Sequence, residues 1–145
     1  MSPRKSLVRR ATPDDVRCFV ELGLRFYEEE GKREASPHQL ARFATFHLRE
    51  EDRVFFAAGE PAAAVLCGVI APHYLTGELT AFKTAWYALP AARGLGAHLL
   101  RAFESWAKRK GARRLIVAGR RERTLTLLSR LGYTPLETVT SKDLP

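Results

Sequence analysis

The chain has 145 residues, 46% of them hydrophobic and 28% charged, which suits one folded domain with a continuous core and excludes a disordered chain. Its longest apolar run, Pro61 to Cys67, falls far short of the roughly 20 residues that cross a bilayer, and the basic start Met-Ser-Pro-Arg-Lys-Ser leads into Leu7, Val8 and two arginines without the apolar stretch of a secretory signal, so a cytoplasmic protein without a membrane partner is expected. The formal net charge of +8 raises nucleic acid as a partner, but most of the excess sits in one segment, where Arg101, Lys108, Arg109, Lys110, Arg113, Arg114, Arg120, Arg121 and Arg123 face only Glu104 and Glu122; such a cluster suits a phosphate-bearing small molecule or a solvated face equally well.

In chain order, Leu7 to Arg10 predicts a short strand, after which Thr12, Pro13, Asp14 and Asp15 supply a cap, a first-turn proline and two acids for a helix. Val16, Phe19, Val20, Gly23, Phe26 and Tyr27 recur at steps of three and four and form its apolar face, and Gly31 ends it. Ser36-Pro37-His38-Gln39 opens a second helix in the capping-box pattern, with Leu40, Phe43, Ala44 and His47 on its buried side, where His47 reads as a hydrogen-bonded core residue. The acidic runs Glu28-Glu29-Glu30 and Glu50-Glu51-Asp52 close these two helices, as solvated ends or as the border of a binding site.

From residue 53 the period becomes extended. Val54 to Ala58, Ala62 to Pro72 and Leu79 to Leu89 are predicted strands, joined through Gly59-Glu60-Pro61 and Thr76-Gly77-Glu78 into an antiparallel meander. Pro90 to Gly96 breaks the third strand and opens a helix with the stripe Leu95, Leu99, Phe103 and Trp106, closed by Gly111 after three cations. Leu115 to Ala118 is a buried strand, Thr124 to Leu131 a helix ended by Gly132, and Tyr133 to Lys142 a last strand or hairpin. Cys18 and Cys67 lie far apart and make no metal-ligand spacing with His38, His47, His73 or His98, so both are expected as buried free thiols, with no metal.

The most informative unit is the strand, turn and helix from Leu79 to Lys110. The amides that open a helix are unpaired and carry a partial positive charge, Gly94 and Gly96 remove side chains that would hold an anion away, and Arg93 adds a charge that pairs with phosphate. The dinucleotide fingerprint would need a third glycine where Leu99 stands, and no Gly-Lys-Ser/Thr follows for a nucleotide loop.

Ala91-Ala92-Arg93-Gly94-Leu95-Gly96, followed by Ala97, His98, Leu99 and Leu100, is similar to the Gln/Arg-x-x-Gly-x-Gly/Ala pattern of the GNAT superfamily of N-acetyltransferases, and Leu127 to Tyr133 resembles that family's second motif, a helix closing on Leu-Gly-Phe/Tyr. With the matching element order, the resemblance covers nearly the full length. It implies a single α/β (α+β) domain with a mixed, mostly antiparallel central sheet flanked by helices on both faces. It further implies acetyl-CoA as co-substrate between the Leu79–Leu89 and Leu115–Ala118 strands, its pyrophosphate held by Arg93, Gly94, Leu95, Gly96, Ala97 and His98, and backbone amides of Trp86, Tyr87 and Ala88 facing the thioester oxygen. The acceptor would be a primary amine on a small molecule or protein; a homodimer stays open.

Departures from the pattern are specific. Ala91 stands where the family has Gln or Arg; if Arg93 takes that place instead, Gly96 fills the first glycine position and His98 falls where a small residue is expected. Lys83 occupies the region of the family's carboxylate base, and Leu128 the place of the tyrosine that protonates the leaving thiolate. Glu78 and His73 are substitute candidates for the base and Tyr87 for the acid, each also readable as a loop or core residue. A non-catalytic acyl-CoA-binding module, motivated by Lys83 and Leu128, and a nucleic-acid-binding protein using the Arg101–Arg123 cluster are the alternatives.

Overall fold

Strands that are apolar on both faces have to be covered on both sides, and the sheet meets that demand with two separate cores. A computed structural model describes residues 8–31, 35–48 and 51–145, in the order β1 (Val8–Arg10), α1 (Val16–Glu29), α2 (Pro37–Phe46), β2 (Arg53–Ala58), β3 (Ala64–Pro72), β4 (Leu79–Ala88), α3 (Gly94–Arg109), β5 (Arg114–Ile116) and α4 (Glu122–Arg130), with single 3₁₀ turns at Pro13–Asp15 and Pro90–Ala92. Leu7 and Glu50, which the sequence assigns to the first strand and to an acidic run, lie outside the described residues. Spatial order follows sequence order, β1-β2-β3-β4-β5; the first four strands pair antiparallel and β5 pairs parallel to β4 through the α3 crossover.

Alternation along the strands sorts the side chains. Val54, Phe56, Ala64, Leu66, Ile70 and Ala81 point to one face, where α3 lays Leu99, Leu100, Phe103 and Trp106 on them and α4 adds Leu128. Phe55, Ala57, Val65, Cys67 and Ala85 point to the other, covered by Phe19 and Leu22 of α1 and Leu40 and Ala44 of α2. The expected architecture, a mixed sheet with helices on both faces, is therefore observed. Cys67 lies in the second core, where burial pushes its thiol up.

Local signals act as the sequence suggests. The Ser36 hydroxyl accepts the Gln39 N–H at 3.2 Å. Asp15 accepts the Thr12 N–H at 2.8 Å and takes Arg9 through both oxygens at 2.7 and 2.9 Å, while Arg9 also donates to the Gly59 carbonyl at 3.1 Å, so one carboxylate joins β1, the start of α1 and the β2–β3 turn. The Arg9 guanidinium holds that carboxyl below its usual range.

Several boundaries differ from the sequence reading, among them the start of β3, at Ala64 instead of Ala62. β5 ends at Ile116 rather than Ala118, because the chain leaves β4 there, and α4 begins at Glu122, two residues early. Tyr133–Lys142 forms no strand: the Tyr133 hydroxyl donates to Glu104 at 3.2 Å, Pro135 has no N–H for a ladder, and Leu136 and Val139 stay exposed.

The approach of α3 to the sheet depends on Gly68, since a Cβ there would overlap the ring of Phe103, which is fully buried and stacked on Trp106. Gly68→Ala should therefore cost about 1–3 kcal/mol by overpacking, read as a lower urea midpoint at unchanged slope. At Gly94 an added Cβ meets nothing within 4 Å, so Gly94→Ala should leave the midpoint unchanged or raise it slightly.

Candidate functional site

Two parallel strands that stop pairing leave a wedge between them, and here the wedge opens at a defined place. The β4–β5 ladder runs over Thr80↔Arg114, Ala81↔Leu115 and Phe82↔Ile116 and goes no further, although β4 continues to Ala88. From Lys83 onward the β5-side edge of β4 has no strand beside it.

At the same place β4 carries an extra residue. Against β3, Cys67 faces Ala85 and Gly68 faces Lys83, which leaves Thr84 as a bulge. The bulge is pinned from α2: His47, buried at the helix end, has Nδ1 2.8 Å from the Phe43 carbonyl and Nε2 2.9 Å from the Thr84 hydroxyl, so Nδ1–H donates to Phe43 and Nε2 accepts from Thr84. Beyond the bulge Trp86 and Ala88 pack toward α3, while Ala85 and Tyr87 pack toward α1 and α2.

The wedge is the mouth of a cleft of about 790 Å³, within the usual range for small-molecule sites. One wall is Lys83 and Trp86 to Pro90, continuing to Arg93 and Gly96 at the start of α3. The opposite wall is the Ala118–Thr124 loop with Thr126, Leu127 and Arg130 of α4, and α1 closes one side with Leu22, Arg25, Phe26, Glu29 and Glu30. Cations predominate over the three lining carboxylates, Glu29, Glu30 and Glu122. Glu30 is enclosed: Arg120 Nη1 and Arg121 Nε each reach one of its oxygens at 2.7 Å, with its side chain only 8% exposed, and Arg121 also approaches Glu29 at 3.8 Å. The run Glu28-Glu29-Glu30 is thus not merely a solvated helix end, since its last member ties α1 to the loop before α4.

Of the residues singled out in the sequence, Trp86, Tyr87, Ala88, Arg93 and Gly96 line the cleft. Gly94, Leu95, Ala97 and His98 share the first turns of α3 without lining it, and Leu95 packs toward the core. Tyr87 packs with Phe19 and Phe26 at centroid distances of 5.5 and 4.9 Å, and burial, with Tyr27 beside it, pushes its phenol above the ordinary range, so it carries its proton at neutral pH. Lys83 is largely enclosed, and burial lowers its ammonium pKa.

Glu78 and His73 are corrected by position. Glu78 precedes the first residue of β4, five residues from Lys83 and so about 17 Å along an extended strand; it pairs with Arg114 at 3.7 Å and its carbonyl accepts the His73 N–H. Neither lines the cleft. Leu128, at the place of the family's acid, is buried in the α3-side core, and the neighbouring Leu127 faces the cleft instead. Sequence reasoning missed Arg25, Phe26 and Leu127 as lining residues; helical spacing marked Phe26 as core but gave no sign of the neighbour across the cleft.

The chain matches the model of the acetyltransferase (GNAT) family over residues 16–133. No curated protein sequence matches it significantly. Among solved structures it is similar to an integron cassette protein from the mobile metagenome of Cole Harbour Salt Marsh (TM-score 0.80, 22% identity, 98% of this chain and 93% of that one covered). It is also similar to a predicted acetyltransferase from Clostridium acetobutylicum determined with acetyl-CoA (TM-score 0.76, 18% identity, 94% of each chain), and to AAC(6')-Iy in complex with the bisubstrate analogue CoA-S-monomethyl-acetylneamine (TM-score 0.75, 18% identity, 95% and 97%).

Burial lowers the His47 imidazole below its usual 6.5, helped by Arg53, so the unfolded chain binds a proton more readily than the folded one. The contribution of neutral His47 is fully present above about pH 6.5 and is lost as pH falls through the lower folded value. Urea midpoints measured from neutral to mildly acidic pH should decline in that window, and His47→Gln should flatten the decline.

Proposed function

Because the chain is a member of the GNAT acetyltransferase family, we propose that it transfers the acetyl group of acetyl-CoA to a primary amine of a small molecule or protein, acting in the cytoplasm. The observation that carries this is the parting of β4 from β5 beyond Phe82 and Ile116, directly beside the first turn of α3. No helix among the described residues is long and apolar enough to cross a membrane.

The residues present fit the co-substrate. Neither Gly94 nor Gly96 has a positive φ, so the backbone does not demand glycine at either place. A Cβ at Gly94 would meet nothing, and one at Gly96 would rest 3.4 Å from Trp86 Nε1 in ordinary contact. Open space at Gly94, with Arg93 alongside, suits a diphosphate at the start of α3, where the Gly96 N–H is already donated to the Arg93 carbonyl at 3.0 Å and no side chain caps the helix. The unpaired edge of β4 offers backbone donors and acceptors to an extended arm lying in the wedge. Acetyl-CoA supplies an activated acyl thioester there.

For the chemistry, Tyr87 is the one acid or base candidate from the sequence on the cleft wall; its phenol, held protonated by burial, can give a hydrogen bond to the leaving sulfur, which takes its proton from solvent. With Glu78 remote, the amine proton passes to solvent, and holding the two reactants together supplies much of the acceleration. A binding module without turnover is the second reading, favoured by the burial of Leu128 in the core; turnover with an amine panel separates the two.

Acetyl-CoA and CoA should raise the melting temperature where unrelated nucleotides do not. Gly94→Glu and Gly96→Glu should abolish that shift with helical content retained, and Arg93→Ala should weaken it modestly; unchanged affinity in both glycine variants would overturn the cofactor site. Tyr87→Phe keeps the ring packing and should lower kcat by roughly 10²-fold; an unchanged kcat would return Tyr87 to packing alone.

A further inference from the structure

Lys83 is a cation in an unusual position. It is the first β4 residue after the last pair with β5, so it stands at the closed end of the wedge whose open end is the α3 first turn. Alternation with Ala81, which is buried toward α3, puts its side chain on the α3 side, next to its antiparallel partner Gly68, whose upper face is covered by the Phe103 ring. Among the described residues its side chain has no hydrogen-bond or ion-pair partner. Glu30, one of the three carboxylates on the cleft wall, is engaged by Arg120 and Arg121, and Arg25, Arg93 and Arg123 add like charge to the lining.

A half-buried ammonium with no counter-charge among the described residues loses hydration that none of them returns. Desolvation favours its neutral form, which is the nucleophile. Conversion to an amide would end the conflict, because an acetamide group buries its methyl and carries no charge.

We propose that Lys83 is a self-acetylation site, modified within the cleft by the acyl thioester that the chain itself binds; this rests on the acetyl-CoA reading above. After one proton leaves the ammonium for solvent, the Nζ lone pair forms an N–C bond to the acyl carbon. The C–S bond breaks with its electron pair on sulfur, and the second proton lost from nitrogen ends on that sulfur, giving Nε-acetyl-Lys83 and free CoA thiol. No other reactant is needed.

The test follows intact mass of the full chain with acetyl-CoA, over a range of protein concentrations, with peptide mapping. Trypsin should stop cutting after Lys83 as the acetyl group appears. Lys108 and Lys110, exposed on the last turn of α3, report the background of direct chemical acetylation. Lys83 should be modified at least about tenfold faster than these, as an intramolecular reaction would be, at a rate independent of protein concentration. Gly94→Glu should remove the Lys83 modification and leave the background, and Lys83→Arg should leave the background alone. Thermal stabilisation by acetyl-CoA with Lys83 unmodified, or modified no faster than Lys108 and Lys110, would overturn self-acetylation while leaving the cofactor reading intact. Absence of both stabilisation and modification would overturn both.

Discussion

Everything functional in this chain depends on a ladder that stops. Three residue pairs hold β4 to β5, and β4 then runs on alone from Lys83 to Ala88. An unpaired strand edge is ordinarily a liability that proteins cover. Here the crossover helix α3 begins beside it, so unpaired strand groups and the start of a helix meet at one cleft. In the function proposed above, a ligand with a diphosphate at one end and a peptide-like arm would engage both at once.

The rest of the fold holds that opening in shape. The bulge at Thr84 changes which side chains β4 turns toward each core, and the His47 imidazole fixes it from the opposite face of the sheet. Gly68 lets Phe103 sit against β3, which sets how near α3 lies to the strands. These contacts do not touch the cleft, yet its walls take their places from them.

Much of this was legible in the chain. Ser36, Gly31, Gly111 and Gly132 mark helix ends for reasons confined to a few neighbours: a hydroxyl that accepts an amide, and positive φ values of 61°, 86° and 91° at the three glycines. The alternating strands and the glycine-bearing start of α3 are equally local. What escaped is non-local. His47 and Thr84 are 37 positions apart, and Glu30 and Arg120 are 90 apart, so no window along the chain contains either pair. Glu78 attracted attention because it lies next to an informative strand, but extended backbone carries position away quickly, and proximity in sequence became distance in space. The segment after Tyr133 has residues fit for a strand and pairs with none, Pro135 lacking an N–H for a ladder.

The enclosed carboxylate of Glu30 has a mechanical meaning. It fastens the end of α1 to the loop ahead of α4 through two short charge-assisted bonds, one to each of two adjacent arginines. The two sides of the cleft are therefore not independent bodies joined only by the sheet beneath them. Anything wide enough to push them apart must stretch that fastening, and whatever anion slips between the arginines competes with Glu30 for them, so admission to this region is a contest between two negative groups for the same pair of guanidinium ions.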